Sequence, residues 1–215
     1  MDVLIRDIDI LYRSGAELKH QDVHIVGDTI AAIGPTGSLA VDTGVRTIDG
    51  RGMAALPTLK NAHTHAAMTL LRGYADDMKL QPWLETKIWP AEAEMTPDDI
   101  YWGTRHAAIE MIKSGTNFAN DMYLDLPAAW NAFRDAGLKA AVGLAMFDFF
   151  DPEQRREVQA STEKLLEKYR PGGTESTTAT DAMPWGPVFA VLAPHSIYTC
   201  SGELLRWVGR IARES

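Results

Sequence analysis

From residue 58 onward the chain alternates strand-like with helix-like runs, and this alternation most constrains how it can fold. Apolar runs at 58–62, 116–122, 138–147 and 188–193 read as strands, each followed by a stretch with helical spacing. Strands separated by helices are joined by crossovers, which makes them parallel and the connections right-handed. Four such units form either an open sheet or half of an eight-unit barrel.

The helix boundaries are well marked. Thr96-Pro97-Asp98-Asp99 offers an N-cap, a first-turn proline and acids at the positive end of the dipole. Ile100, Thr104, Ala107, Ala108, Met111 and Ile112 form the apolar stripe of that helix, and Gly115 suits a left-handed stop. A second helix runs from about Pro127 to Ala136 and stops at Gly137, a third opens at Asp151-Pro152-Glu153 and a last at Ser201-Gly202-Glu203. The stretch from Gly173 to Pro187 is rich in Thr, Ser, Gly and Pro and reads as a mobile loop. The last helix reaches Glu214-Ser215 without a cap, so the chain is expected to stop partway through a larger fold.

Residues 1–57 differ in character. Val3-Leu4-Ile5, Ile8 to Leu11, Val23, Ile25 and Ile30 to Ile33 are short β-branched runs broken by Gly27-Asp28, Gly34-Pro35 and Gly44. They predict a small sheet or sandwich that leans on another layer.

Composition narrows the function classes. With 21 Lys and Arg against 29 Asp and Glu the net charge is −8, which argues against nucleic-acid or anionic-membrane binding as the main role. Cys200 is the only cysteine, so no internal disulfide can form and a reducing compartment is expected. No apolar run approaches the roughly 20 residues of a membrane span, and Asp2 and Asp7 stand where a signal peptide carries basic charge. The expected location is the cytoplasm.

The strongest chemical signal is Asn61-Ala62-His63-Thr64-His65. Residues i and i+2 of a strand share a face, so both imidazoles can reach one ion, and a catalytic zinc keeps a position open for water. The alternative is a pair of surface or hydrogen-bonded histidines. The position of the pair at a strand's C-terminal end, where α/β active sites gather, favours ligation. His195 follows Val191-Leu192-Ala193-Pro194 at another strand end, so it either serves the site or bonds within its own loop. His20 and His24 lie in the N-terminal sheet and are expected to be exposed, and His106 falls inside a helix. Between the His pair and the helix at Pro97 runs a long connection, Met68 to Met95, of the kind that forms lids. Its Trp83 and Trp89 could face a planar ligand or pack the lid down. Its Glu92 could accept two hydrogen bonds from a diol or be a solvated acid. Asp121 could support a site from behind; Cys200 has no His–acid partner and is not a nucleophile.

Taken in order, Pro57 to His65 with Met68-Thr69-Leu70-Leu71-Arg72-Gly73, Trp83-Leu84, Ile88-Trp89-Pro90-Ala91-Glu92, Gly115-Thr116 to Asp121-Met122-Tyr123, and Pro194-His195-Ser196 with Tyr198 to Ser201 resemble the metal-dependent amidohydrolase superfamily. Within it they are most similar to the 5-methylthioadenosine/S-adenosylhomocysteine deaminases and related chlorohydrolases. The resemblance implies an α/β fold: a (β/α)8 TIM-type barrel, its first four units at 58–215, with a small N-terminal β-sandwich portion at 1–57. It implies one divalent metal ion, Zn2+ by preference, held by His63 and His65. Glu92 would bind the ribose hydroxyls of a nucleoside-like substrate, and His195 would contact the substrate near the metal. The implied reaction is hydrolytic deamination of an adenosine derivative with release of ammonia. Guanine- or triazine-type hydrolysis and a non-catalytic fragment are the alternatives. The family's remaining metal ligands and its catalytic acid come from later strands, so no catalytic residue is expected within residues 1–215. The chain alone is expected to be inactive, and either a homo-oligomer or complemented by a C-terminal half.

Overall fold

A computed structural model describes residues 2–12, 14–170, 172–176 and 187–214. The expected loop at Gly173 to Pro187 lies largely outside the described residues. The chain divides into two compact units, Met1–Thr58 and Leu59–Ser215.

The first unit is one five-stranded sheet: β1 (Asp2–Leu11), β2 (Glu17–Val26), β3 (Thr29–Pro35), β4 (Arg46–Asp49) and β5 (Ala54–Ala55). β1 and β2, and β2 and β3, pair antiparallel, whereas β4 and β5 each run parallel to β1. The β1–β2 ladder slips between Ile5 and Ile8, where Asp7 takes a φ of 57°, and again between Ile8 and Ile10, where His20 on the partner strand takes a φ of 52°. The buried Asp22 carboxylate holds this irregular region together, accepting from Arg6 Nη1 at 2.8 Å, the Asp7 amide at 3.2 Å and the Gly37 amide at 2.9 Å. His20 is exposed, as expected, and pairs with Asp7 at 2.7 Å. His24 is not exposed as expected: it sits half-buried on a strand paired on both sides, with Nε2 shut off from solvent.

The second unit opens with β6 (Leu59–Thr64), followed by a 3-10 segment at Ala66–Leu71 and by α1 (Leu80–Trp83), a π-helical turn (Leu84–Ile88) and α2 (Trp89–Ala93). Then come α3 (Pro97–Lys113), β7 (Thr116–Tyr123), α4 (Leu126–Ala136), β8 (Lys139–Met146), α5 (Pro152–Tyr169), β9 (Val188–Ala190), β10 (Ala193–Pro194) and α6 (Gly202–Glu214). All pairings in its sheet are parallel: β6 with β7, β7 with β8, and β8 with both β9 and β10. The run at 188–193 is thus one strand interrupted in its middle. Across from the break is Gly143, whose missing Cβ would lie 2.4 Å from Ala193 Cβ; only glycine lets the two backbones approach this closely.

Local chemistry sets the helix ends. Thr96 and Asp99 form a reciprocal capping box on α3, Asp125 caps α4, and α4 stops at Gly137 in the left-handed conformation (φ 71°). The apolar faces of α3 and α4 close over the sheet, burying Ile100, Ala107, Ala108, Trp130 and Phe133 with Ala119, Ala140 and Val142 of the strands. The connection from Met68 to Met95 is not loose: it is mostly helical and anchored by Ile88, which is 1% exposed.

Candidate active site

The strands deliver their C-terminal residues to one place. A cavity of about 600 Å3 opens there, walled by Trp83, Trp89, Met122, Phe147, Phe149 and Tyr198, with His65, Glu92, Tyr123, His195 and Thr199 among its polar residues.

His63 and His65 stand on the same strand end with their rings edge to face, centroids 5.1 Å apart. The His65 Nδ1–H donates to the Met122 carbonyl at 2.7 Å, a bond that fixes the ring and leaves Nε2 with the lone pair. His63 is more exposed and does not line the cavity; its amide donates to Asn61 Oδ1 at 3.3 Å. Two neighbouring imidazoles, one of fixed tautomer, fit part of a divalent-cation donor set. Among the described residues no group of three or more His, Cys, Asp or Glu is placed to hold a metal.

Behind His65, Asp121 is buried and accepts from the Ala66 amide at 2.7 Å. Burial pushes its carboxyl up to about 6, against the opposing effects of that amide and of His65. Glu92 is half-buried. Burial raises its pKa, while the hydrogen bond from Tyr123 Oη to Oε1, at 2.9 Å, and the electrostatic influence of the nearby His65 ring pull it down. Burial raises the Tyr123 hydroxyl, and the Glu92 carboxylate raises it further, so it remains a donor.

His195 bonds within its own loop and also faces the cavity. Its Nδ1 lies 2.9 Å from Thr199 Oγ1 in its own loop, and the ring also lines the cavity, edge-on to Phe147 and Tyr198. Burial lowers its pKa, and the nearby His65 and His63 lower it further. His65, Glu92 and His195 are therefore brought together although the first two come from the connection between β6 and α3 and the third from the loop after β10. His106 is elsewhere, exposed on α3 and 3.3 Å from Glu110. Cys200 is buried with its thiol donating to the Met146 carbonyl, which agrees with its exclusion as a nucleophile. Sequence reasoning did not single out Met122, Tyr123, Phe147, Phe149 or Tyr198 as site residues. Their one signal was position, at or just beyond a strand's C-terminal end.

Residues 54–215 match the sequence profile described as the amidohydrolase family. A 5′-deoxyadenosine deaminase of Methanoregula boonei is 46% identical over 167 residues, covering 78% of this chain and 35% of that protein. A 5-methylthioadenosine/S-adenosylhomocysteine deaminase of Archaeoglobus fulgidus is 40% identical over 212 residues, covering 99% of this chain and 46% of the relative. The chain thus spans less than half the length of these curated relatives. The crystal structure of an adenosine deaminase from Xanthomonas campestris with bound zinc superposes with a TM-score of 0.78 at 27% identity, covering 99% of this chain and 47% of that one. The parallel βα units are the first half of a (β/α)8 barrel.

Proposed function

The chain belongs to the amidohydrolase family, and we propose that it forms one half of the active site of a metal-dependent deaminase acting on an adenosine derivative. The substrate would be of the 5-methylthioadenosine or S-adenosylhomocysteine type, and ammonia the leaving product. The observation that carries this reading is the convergence of His65, Glu92 and His195 on one aromatic-walled cavity at the ends of parallel strands, with His63 beside His65.

In this reading His63 and His65 hold the metal ion, zinc by ligand type. When bound, the ion supplies the Lewis acidity that makes water a usable nucleophile near neutral pH. The protein side chains do the rest. Met122, through its carbonyl, keeps the His65 lone pair on Nε2. Trp83 and Trp89 offer faces to a planar purine. Glu92, with Oε1 taken by Tyr123, has Oε2 for a ribose hydroxyl. His195, neutral at pH 7 because its pKa is lowered, offers Nε2 to the base while Thr199 occupies Nδ1. The remaining donor atoms and the acid that protonates the ring nitrogen come from outside the described residues.

The test is ammonia release and bound metal in the complete protein carrying this chain, with 5-methylthioadenosine, S-adenosylhomocysteine, guanine and a chlorotriazine compared. Turnover confined to the adenosine derivatives is expected, and H63A or H65A should lose both metal and turnover. Full metal content and unchanged kcat in these variants would overturn the ligand assignment, and faster guanine or triazine turnover would overturn the substrate class. The 215-residue chain by itself is expected to release no ammonia.

A further inference from the structure

One buried charge near the cavity has no part in the chemistry above. Asp148, fully buried just beyond β8, receives four hydrogen bonds through its side chain. Oδ1 accepts from the Ser201 amide at 2.8 Å and the Phe150 amide at 3.2 Å. Oδ2 accepts from the Ser201 hydroxyl at 2.5 Å and from Arg155 Nη1 at 3.4 Å. Arg155 also donates to Ser201 Oγ at 3.0 Å. The backbone repeats the link, since the Asp148 and Phe149 amides both donate to the Thr199 carbonyl, at 3.1 and 3.0 Å.

Two loops are joined in this way. One carries Phe149 and Phe150, consecutive non-glycine residues at φ 44° and 65°, in the left-handed region that costs a bulky side chain energy. The other carries His195, whose ring nitrogen pairs with Thr199. Both loops line the cavity, and the Phe149 ring packs on Phe147 at 5.1 Å, which meets the His195 ring edge-on. Strained backbone persists only where its surroundings over-determine it, and here the over-determining group is the Asp148 carboxylate.

We propose that Asp148 is a positioning residue: it clamps the 148–151 and 195–201 loops together and so sets where Phe149 and His195 face the substrate. The proposal rests on the cavity being the substrate site. Its test is D148N and S201A in the complete protein, with S201A as the milder cut should D148N fail to fold. Two measurements are made on each, with melting temperature as the control for folding. The first is the proton resonance of the His195 ring, which lies in the ring currents of Phe147 and Tyr198. It should move in both variants while the resonances of the exposed His20 and His106 stay in place. The second is kcat/KM, expected to fall about tenfold to a hundredfold in D148N, as for a small misplacement of site groups. The loss should largely vanish when D148N is made in an H195A background, because coupled residues are not additive. An unmoved His195 resonance in folded variants, or full additivity with H195A, overturns the proposal. A wild-type protein that deaminates nothing would instead sink the functional reading, and the resonance would still decide the clamp.

Discussion

Asp121 and Asp148 both lie out of solvent, and a buried carboxylate is costly unless its charge is met. They meet that cost differently. Burial pushes Asp148 up, but the Ser201 hydroxyl and amide, the Phe150 amide and Arg155 outweigh it, and its pKa ends below the ordinary 3.8. Asp121 has the Ala66 amide on Oδ1, while Oδ2 is buried with no hydrogen bond to a described residue, so burial prevails. A carboxyl whose folded pKa is depressed adds stability above its unfolded pKa and loses it as pH falls through the folded value. Asp148 should therefore stabilise the fold at neutral pH and stop doing so under acid. The melting temperature of D148N should lie below that of the unaltered protein at pH 7, with the gap narrowing as pH drops below about 4. A gap that stays constant down to pH 3 would show that the ionised carboxylate is not what stabilises the fold.

At the scale of elements, strand and helix order was legible because each signal is local. The Thr96–Asp99 capping box, the Gly137 stop and the α3 stripe from Ile100 to Ala108 all need neighbours only a few residues away, whereas Ile112, expected in that stripe, is exposed. The His63–His65 pair was legible for the same reason, being two apart in the chain, although His65 lies just past the end of β6. The break between β9 and β10 was not, since it answers to Gly143, about fifty residues earlier. Nor were the Glu92–Tyr123 bond or the Asp148–Ser201 clamp, whose partners lie 31 and 53 residues apart. Close packing hides in the same way. A Cβ on Gly103 of α3 would lie 2.6 Å from the Ala67 carbonyl, in the segment that leaves His65, and Thr69 Oγ1 donates to the Gly103 carbonyl at 2.9 Å. G103A should cost about 1–3 kcal/mol, the usual range for overpacking, despite alanine's better helix propensity. Denaturant unfolding would measure it; a stabilised G103A would mean that the helix is free to shift.

At the scale of the whole molecule, the sheet of the second unit has two outer sides. Among the described residues β6 has β7 as its strand neighbour, and β9 and β10 have β8. Outer strands invite further pairing, and apolar side chains stay exposed in this unit: Leu59 of β6 is 63% exposed and Trp102 of α3 is 61% exposed. No helix among the described residues is long and apolar enough to cross a membrane. The 215-residue chain on its own is therefore expected to associate. Size-exclusion chromatography with light scattering should give a mass above 23.7 kDa or visible aggregation. A stable species of monomer mass across micromolar concentrations would contradict this.

The acceptor that orients His65 is a main-chain carbonyl, and the side chain of the same residue, Met122, forms part of the cavity wall. One position thus carries two separable duties. Substitution at 122 can reshape the wall while the carbonyl stays, so drift in ligand preference need not pass through variants with a misoriented imidazole. On the proposed function, selection acting on this position would meet a short route between specificities, with the histidine's alignment written into backbone that no codon change at 122, proline aside, readily erases.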